Sequence, residues 1–524
     1  MDANSSLHSH SDLPPLIATL KARIDALEQA LSSKDAQLQW FKRQIFGPKS
    51  ERHVNAVPDE QIALFAKQLG VDLPSKEKDE HQQIQAHQRK KHRSGNEVLA
   101  QGLRFDDNVP VKQIDLPCEA LQGPDADHYE VIGYKDSYRL ASQPGSSYVL
   151  HYRRAVVKRK DDGTISQPHV PEGVLGQAQV DVSFLAQALV DKFCYHTPLY
   201  RQCQKLQDHG ITISRSTLDH WVRQSLSLLT PIAQAVKTQI LEGTYIKVDE
   251  TTIKAGRKKN AKGKGKMKTG WMWPILGEHG DIAFCYHPKR DFSALKEILG
   301  EYHGTLQSDG YEVYAQYAKS METLVSALCW SHTRRGFEKA QASEPEAVGQ
   351  ILSYIQVLYR IERQLRQTKA DNACIKAQRQ KRSRRCVDKI FKWIDQQRQR
   401  PDLLPKSLFA KALRYAGERE AGLRVFLSDP NVDLDTNDLE RALRVIPMGR
   451  KNWLFCSSEV GAEHVATIQT LLATCRVHDV NPYRYLVDVL QRIDRHQASQ
   501  VHELTPREWK KRFADNPLRA PGDG

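Results

Sequence analysis

The sequence lacks the features of secreted, disulfide-stabilised or membrane-spanning proteins. No apolar run approaches the about 20 residues that a membrane-spanning helix needs. The first residues, MDANSSLHSHSDLPP, have neither the cationic start nor the apolar core of a signal peptide. The nine cysteines are scattered and never spaced as C-x-x-C, which argues against a disulfide framework and a four-thiolate zinc site. We therefore expect reduced, mostly buried thiols in a cytoplasmic protein.

What the sequence has in excess is positive charge. Its 77 Lys and Arg residues exceed its 63 Asp and Glu residues, which gives a net charge of +14. Lys and Arg gain affinity for a polyanion by releasing its counterions, so this excess favours a nucleic-acid partner, although many basic proteins bind none. At 524 residues the chain is long enough for about three to four domains.

The N-terminal part predicts self-association. Within residues 1–50, nine positions between Ile17 and Ile45 alternate spacings of three and four, and eight of them are apolar. This pattern predicts a two-stranded coiled coil that forms a homodimer or higher oligomer, and the alternative is a helix packed on its own body. Residues 51–100 are polar and predict a linker. Residues 101–175 alternate apolar and polar residues in short pieces, which predicts a small β-rich module.

Residues 176–240 predict a DNA-binding helix pair. The run PLYRQCQKLQDHGITISRSTLDHWVRQSL indicates a helix, a turn at Gly210 and a second helix capped by Ser214 or Ser216. This is the outline of a helix-turn-helix, although helix pairs joined by glycine also occur in plain bundles. The second helix would offer four side chains to DNA: Arg215, Thr217, His220 and Arg223.

Residues 241–340 carry the clearest order of strands. EGTYIKVDETTIKA, GWMWPILGE and DIAFCYH predict three strands, DFSALKEILGEY a helix, and GTLQSDG and METLVSALCW two further strands. The order β-β-β-α-β-(α)-β is that of the ribonuclease-H-like fold. We expect a helical insertion at 341–430, the second part of this domain at 431–480 and a helical tail at 481–524. The predicted class is a multidomain α+β protein.

Two aspartates follow strands that are neighbours in that topology. Asp249 ends the first strand and Asp309 ends the fourth, so the two carboxylates would converge. Hard oxygen ligands suit Mg²⁺ or Mn²⁺, and two such ions about 4 Å apart serve phosphodiester chemistry. Each aspartate also has a plain alternative, because Asp before Gly310 is a common turn dipeptide and a strand-terminal Asp is often a turn residue.

A third carboxylate is expected from a later helix, and Glu440 in NDLERALRVI is the candidate. Asp435 or Thr436 would cap that helix. Asn437 and Arg444 share the face of Glu440, so we expect them to be accessory residues, with Arg444 bracing the acid. The alternative is an ordinary surface ion pair between Glu440 and Arg444.

Several ordered motifs make the chain resemble a known family. They are RQIFGPKSER at 43–52, HTPLYRQCQKLQDHGITISRSTLDHWV at 196–222, VDET at 248–251, SDGYEVY at 308–314, CWSHTRRGFEKA at 329–340, NDLERALRVIPMGRKNWLF at 437–455 and NPYRYLVDVL at 481–490. With these motifs the chain resembles the TnpC-type transposases of the insertion sequence 66 (IS66) family, which belong to the DDE group. Where family members carry paired cysteines before the helix-turn-helix, this chain keeps Cys118 alone, so we expect no zinc.

The resemblance implies a DNA transposase whose catalytic and metal-binding residues are Asp249, Asp309 and Glu440. They would hold two Mg²⁺ or Mn²⁺ ions, cut double-stranded DNA at terminal inverted repeats and transfer the strand to target DNA. His332 would be accessory, or a structural histidine at the end of the fifth strand. Accessory proteins of the same element are expected as partners, no membrane is, and the protein would be nucleoid-associated. The rivals are a structure-selective nuclease or resolvase on the same fold and a non-catalytic DNA-binding regulator.

Two cationic segments are expected to contact DNA. The first is a basic segment that would contact the DNA backbone through Arg257, Lys258, Lys259, Lys262, Lys264, Lys266 and Lys268. The second would line the approach to the active site with Arg441, Arg450 and Lys451. The sequence GRKN at 449–452 predicts a turn at the DNA backbone. Trp453 and Phe455 would anchor that turn to the core, with base stacking as the alternative.

Overall fold

A computed structural model describes residues 23, 104–105, 109–122, 124–143, 145–176, 178–258 and 266–521. The chain forms two compact units, Met1–His92 with Lys339–Ala347, and Arg93–Glu338 with Val348–Gly524. The first unit is described at the helical residue Arg23 and along 339–347. The predicted linker at 51–100, and the predicted coiled coil apart from Arg23, therefore lie outside the described residues. Apart from the start of one helix at Pro345, the elements below belong to the second unit.

Strands alternate with helices along the second unit. The strands are Arg104–Phe105 (β1), Val111–Leu116 (β2), Tyr129–Gln143 (β3), Ser146–Arg159 (β4), Ile165–Ser166 (β5), Ile211–Thr212 (β6), Tyr245–Val248 (β7), Thr251–Lys258 (β8), Lys266–Gly277 (β9), Ile282–His287 (β10), Thr305–Ser308 (β11) and Val325–Leu328 (β12).

The α-helices are Val182–Phe193 (α1), Leu199–Asp208 (α2), Arg215–Leu241 (α3), Phe292–Leu299 (α4), Glu312–Lys319 (α5), Trp330–Glu338 (α6), Pro345–Gln367 (α7), Asn372–Gln378 (α8), Arg384–Arg398 (α9), Leu408–Gly417 (α10), Glu420–Arg424 (α11), Asn437–Leu443 (α12), Val445–Trp453 (α13), Glu459–Val477 (α14), Pro482–Arg492 (α15) and Pro506–Arg512 (α16). A π-helical turn at Arg379–Ser383 and 3₁₀ turns at Glu119–Leu121, Ala126–His128, Val425–Leu427 and Ala498–Leu504 complete them. None of the described helices combines the length and the apolar character that a membrane crossing requires.

Residues 111–166 form a four-stranded sheet where short alternating segments predict strands. The sheet has the order β2-β4-β3, with β5 on β4, and β3 and β4 form a long antiparallel hairpin. One face of the hairpin packs on the main core through Leu140 and Val149. The other face has a small cluster of its own around Leu150 and Tyr152. The first strand, β1, instead pairs with β6, which lies just before α3.

The central sheet has the order β10-β9-β7-β11-β12, with β8 also on β9. The prediction that the first and fourth strands of this region are neighbours is confirmed, because β7 and β11 run parallel with Lys247 opposite Gln307. The prediction of one strand over EGTYIKVDETTIKA is wrong, since β7 and β8 pair with β9 separately. Between them Asp249 lies opposite Pro274. Proline has no N–H to donate, so the ladder is interrupted there.

Helices cover the outer edge of this sheet. The threonine hydroxyls of α14 accept hydrogen bonds from edge strand β10, from Phe284 N–H to Thr470 Oγ1 at 2.8 Å and from Ile282 N–H to Thr474 Oγ1 at 3.1 Å. An edge strand covered in this way offers no free row of donors to another chain. Helix α14 also packs along α3, so the region predicted to be a helix-turn-helix shares a core with the sheet.

The predicted helices of the insertion are confirmed as α7, α9 and α10. The basic stretch between α7 and α9 is itself helical, and it buries Arg379 in a bidentate ion pair with Glu362, with N–O distances of 2.8 and 2.9 Å. Arg379 Nη1 also donates to the carbonyl oxygens of Phe426 and Val432. A charge inside a protein is tolerated when its hydrogen bonds are satisfied, so this arginine fastens α7 to the segment that leads into α12.

Candidate active site

Two of the predicted acids follow parallel neighbouring strands. Asp249 comes directly after β7 and Asp309 directly after β11, at the same end of the sheet. Each carboxylate accepts a hydrogen bond from a nearby backbone N–H, from Glu250 to Asp249 Oδ1 at 2.7 Å and from Tyr311 to Asp309 Oδ1 at 2.8 Å. Gly310 has φ +83°, which lets the chain turn immediately behind Asp309.

The third predicted acid, Glu440, lies on α12. Its carboxylate accepts a hydrogen bond from Arg335 Nη2, and its Oε1 lies 3.7 Å from His332 Nε2. Both partners belong to α6, which begins just after β12, rather than to the strand itself. The prediction that Arg444 braces Glu440 is therefore wrong.

The break between α12 and α13 explains that error. The N–H of Arg444 bonds to Arg441 O, three residues back, so the helix does not continue regularly past Leu443. Pro447 has no N–H for the carbonyl of Leu443, which ends the run of α-helical hydrogen bonds. Arg444 is exposed and, among the described residues, forms no ion pair with Glu440, which Arg335 engages instead. The side-chain amide of Asn437 donates to Asp435 Oδ2 at 2.7 Å. Of the two predicted caps, Thr436 forms no side-chain capping bond, whereas Asp435 Oδ1 accepts from Asn437 N–H at 3.0 Å.

The acids interact electrostatically. Burial, together with the charges of Glu250, Asp309 and Glu440, raises the pKa of Asp249 to about 7, against the lowering effect of the hydrogen bond from Glu250 N–H. Burial and the charge of Arg335 lower the pKa of His332 below its usual value, so its imidazole is neutral at pH 7. Four carboxyl groups thus share one partly buried region at the strand ends.

A second carboxylate beside Asp249 is tightly held. The side chain of Glu250 is 1% exposed; it accepts from Arg290 Nε at 2.7 Å and from the Tyr314 hydroxyl. The Arg290 guanidinium lies 3.9 Å from the ring centre of Tyr311 and 4.8 Å from that of Trp271. Since Tyr311 also donates to Asp309, this arginine links the surroundings of both aspartates.

A buried lysine links the strand of Asp249 to the helix of Glu440. Lys247 Nζ donates to Asp433 Oδ2 at 2.5 Å and to Asp438 Oδ2 at 2.6 Å, and its side chain is 3% exposed. Lys247 stands two residues before Asp249, and Asp438 stands two residues before Glu440. The lysine therefore fixes the two acid-bearing segments against each other.

The helical insertion holds the turn at Asp309. The Tyr415 hydroxyl of α10 donates to Asp309 O, and Arg419 Nη2 donates to Gly310 O at 3.0 Å. A Cβ at Gly310 would lie 2.8 Å from Arg419 Nε, so the close approach requires glycine. The insertion thus contacts the main chain of a predicted catalytic residue.

The donor set suits a hard divalent cation. Three carboxylates would supply oxygen ligands, and burial, with the charges of the neighbouring acids, raises the pKa of Asp249. Beside them His332 Nδ1 and Arg335 Nε are buried without a hydrogen-bond partner among the described residues. Among the residues that the structure describes, no three His, Cys, Asp or Glu side chains are close enough to hold one ion together. Glu440 is engaged by Arg335.

The side chains predicted to contact DNA from the helix pair lie along the start of α3. Arg215, His220 and Arg223 are exposed, although Arg223 pairs with Asp219. Thr217 is half-buried, and its N–H donates to Ser214 Oγ at 3.1 Å. Of the two predicted caps, Ser214 is therefore the one used.

The basic segment around 257–268 belongs to the β8–β9 hairpin. Arg257 is exposed in β8, Lys258 closes that strand and Lys266 opens β9. Lys268 pairs with Glu459 at 2.9 Å. Three predicted contacts lie outside the described residues: Lys259, Lys262 and Lys264.

Two predictions for residues 449–455 are wrong. GRKN forms part of α13 and not a turn, because Pro447 stands in the first turn of a new helix, where a missing N–H costs little. Phe455 is 41% exposed and does not anchor the segment, whereas Trp453 is half-buried against the core. The helix is anchored instead by Arg450 Nη1, which donates to Thr252 Oγ1 at 2.6 Å. Arg441 and Lys451 are exposed.

Sequence reasoning missed the residues that hold the acids. The ion pairs of Arg335 with Glu440 and of Arg290 with Glu250 join residues that are far apart in the sequence. Lys247 looks like an ordinary strand lysine in the sequence, although it pairs with Asp433. The one local signal was Glu250 itself, an acid directly beside a candidate acid in VDET.

Comparisons with known proteins agree along most of the chain. The sequence model "Transposase IS66 family" matches residues 177–464, "IS66 C-terminal element" matches 470–507 and "Transposase C of IS166 homeodomain" matches 35–104. Two uncharacterized proteins of Sinorhizobium fredii are similar. Protein y4hP is 29% identical over 408 residues, which cover 73% of this chain and 72% of that protein. Protein y4qI is 28% identical over 513 residues, which cover 94% of this chain and 92% of that protein.

Among solved structures, the Drosophila P element transposase strand transfer complex aligns with 56% of this chain and 92% of that chain. The identity is 12% and the TM-score 0.28, which is too low to establish a shared fold.

Proposed function

The chain belongs to the IS66 transposase family, and from this premise we propose that it cuts DNA at the terminal inverted repeats of an insertion sequence and joins the freed ends to target DNA. Asp249, Asp309 and Glu440 would be the catalytic carboxylates. The observation that carries the proposal is that Asp249 and Asp309 follow two parallel neighbouring strands at the same end of the sheet, and the raised pKa of Asp249 supports it, because active sites commonly perturb buried carboxyl groups. The strand order β10-β9-β7-β11-β12 supports a ribonuclease-H-like core.

The three carboxylates would hold divalent cations, Mg²⁺ or Mn²⁺, and we expect two of them. When bound, these ions would activate the attacking oxygen and stabilise the leaving oxygen of the phosphodiester. The hydrogen bond from Tyr311 N–H would fix the orientation of Asp309, and the pair of Arg290 with Glu250 would keep the neighbouring acid out of the site.

Two groups of α6 would serve the substrate directly. Arg335 is 43% exposed and ends at Glu440, so its guanidinium is positioned to meet a phosphate that approaches the acids. Neutral His332 offers one ring nitrogen as donor and the other as acceptor, which suits it to orient a water or a 3′-hydroxyl. Both roles are proposed in addition to the triad.

Double-stranded DNA would lie along the exposed cations of α3 and of the segment after Glu440. Arg215, His220, Arg441 and Lys451 are exposed and available to phosphates. Because two ends must be held together, a homodimer or higher oligomer through residues 17–45 is expected, with accessory proteins of the element as further partners.

The test is a strand-transfer assay with pre-cleaved element ends, a target plasmid and Mn²⁺. We expect joined products from the wild-type chain, none from Asp309→Asn, and wild-type yield from Asp515→Asn, an exposed aspartate near the C-terminus. Cutting without joining would indicate a nuclease or resolvase, and binding without cutting a regulator. Full activity of Asp309→Asn would refute the triad.

A further inference from the structure

A groove of about 430 Å³ lies between the helix pair α2–α3 and the segment 452–458, which leads from α13 into α14. Its walls combine exposed apolar side chains from that segment with cationic side chains from α1 and α3. The apolar residues are Leu454 and Phe455, and the cationic residues are Lys192, Arg215 and Arg223.

The apolar wall is exposed on a fixed backbone. Phe455 is 41% exposed and Leu454 64% exposed. Directly after them, Cys456 N–H donates to Lys254 O at 2.8 Å, and Gly256 N–H donates to Cys456 O at 3.2 Å. These two backbone hydrogen bonds fix the loop to β8. Leu454 has φ +65°, a conformation that a leucine adopts only where its surroundings enforce it. Leu454 and Phe455 are adjacent and both exposed in one groove, and a contiguous apolar patch rimmed by polar residues is typical of a binding surface.

The cationic wall contains a partly buried lysine, Lys192, and the carboxylate that acts on it, Asp219, is paired with Arg223. Burial lowers the pKa of Lys192, and the charge of Arg215 lowers it further, while Asp219 and Cys456 act in the opposite direction. Asp219 is bonded to Arg223, and among the described residues no carboxylate forms an ion pair with Lys192. A partly buried cation of this kind is stabilised by an anion entering the groove. The groove therefore has a place for a phosphate beside a place for a planar apolar group.

We propose that this groove binds one unpaired nucleotide at the DNA end, with its base on Phe455 and its phosphate at Lys192 and Arg215. The inference rests on the proposed function, since DNA ends are its substrate. An unpaired nucleotide fits better than a duplex, because a base exposes its face for stacking on an aromatic ring only when it has left the helix. The cations supply the phosphate contact that such sites require.

The experiment measures binding of full-length protein to fluorescent DNA by anisotropy, with EDTA present so that no strand is cut. One probe is a blunt duplex, and two others carry a 3′ or a 5′ single-stranded extension of about 4 thymidines, a short site for one binding groove. We expect one extended probe to bind more tightly than the blunt duplex. Phe455→Ala should reduce that preference about fivefold or more, as loss of one stacked base does. Its affinity for the blunt duplex should not change.

Two further variants separate stacking from general damage. Phe455→Trp should retain the preference, and Lys192→Gln should reduce it. Leu404→Ala, which truncates a 72%-exposed apolar side chain of the insertion, should leave every probe unaffected. Equal weakening of all probes by Phe455→Ala, or no preference in the wild-type chain, would overturn the inference.

The failure of this inference can be told from failure of the proposed function. If the blunt duplex does not bind at all, the transposase proposal itself fails. If it binds but Phe455→Ala changes only the mass of the protein in solution, the groove is a contact between copies of the chain and not a nucleotide site.

Discussion

Replacing Asp249 by asparagine is expected to stabilise the protein at pH 8 while abolishing strand transfer. Burial, with the charges of Glu250, Asp309 and Glu440, raises the pKa of Asp249 from 3.8 to about 7. The unfolded chain releases this proton near its ordinary pKa, whereas the folded chain retains it to about 7. The stability that Asp249 contributes is therefore present below about pH 4 and is lost as the pH rises through 7.

The magnitude follows from the two pKa values. A rise from 3.8 to about 7 corresponds to about 4 kcal/mol of folding free energy at pH 8. Asparagine carries no charge, and its side-chain oxygen can still accept the hydrogen bond from Glu250 N–H that Asp249 accepts at 2.7 Å. We therefore expect Asp249→Asn to gain about 2 to 4 kcal/mol at pH 8 and almost nothing at pH 4.

Thermal unfolding in EDTA at about pH 4 and about pH 8 gives the measurement, because the lower value is close to the pKa of Asp249 in the unfolded chain and the higher value is above its pKa in the folded chain. The variant should melt several degrees above wild type at the higher pH, and Mg²⁺ should raise the melting temperature of wild type more than that of the variant. Asp291→Asn is the control of opposite sign. Asp291 caps α4, and hydrogen bonds from Ser293 and Ala294 lower its pKa, so this variant should not gain stability at pH 8. A loss of stability in Asp249→Asn at pH 8 would refute the reasoning.

Three further substitutions test the contacts that hold the acids. Lys247→Met should lower strand transfer about tenfold or more at unchanged near-ultraviolet circular dichroism, because its two aspartate partners, 38% and 40% exposed, can return to water while α12 loses its tie to β7. Arg335→Gln should tighten Mg²⁺ binding in calorimetry, because it frees Glu440 from its ion pair. The matched control is Arg334→Gln, which should not change Mg²⁺ binding, because Arg334 pairs with Glu338. Arg379→Met should cost about 3 to 5 kcal/mol in urea unfolding, since it leaves Glu362 buried without its cation.

The positions of the two aspartates could be predicted from the sequence because strand patterns are local. Alternation of apolar residues marks β7 and β11, and an acid at the end of each is visible in VDET and SDG. Their proximity then depends on strand order alone, and the parallel pairing of Lys247 with Gln307 supplies it. The helices of the insertion were predictable for the same reason, since their apolar positions repeat at helical spacing.

The partner of Glu440 could not be predicted from helical spacing. That reasoning assumes an unbroken helix, whereas the α-helical hydrogen bonding is interrupted at Arg444, whose N–H bonds to Arg441 O, and Pro447 cannot restore it in the next turn. The actual partner, Arg335, stands 105 positions earlier in the chain. Lys247 was missed because alternation cannot tell a lysine that faces solvent from one that meets two aspartates of a distant helix.

Each candidate acid is held by a segment far from it in sequence. Tyr415 of the insertion binds the carbonyl of Asp309, and Arg335 binds Glu440. Lys247 joins the strand of Asp249 to α12. Because these contacts span long separations, the acids come together only after the sheet, the insertion and α12 have docked. The finished fold therefore imposes the proximity of like charges at the strand ends. This proximity lowers stability, and the whole fold can tolerate that cost, whereas a local motif could not.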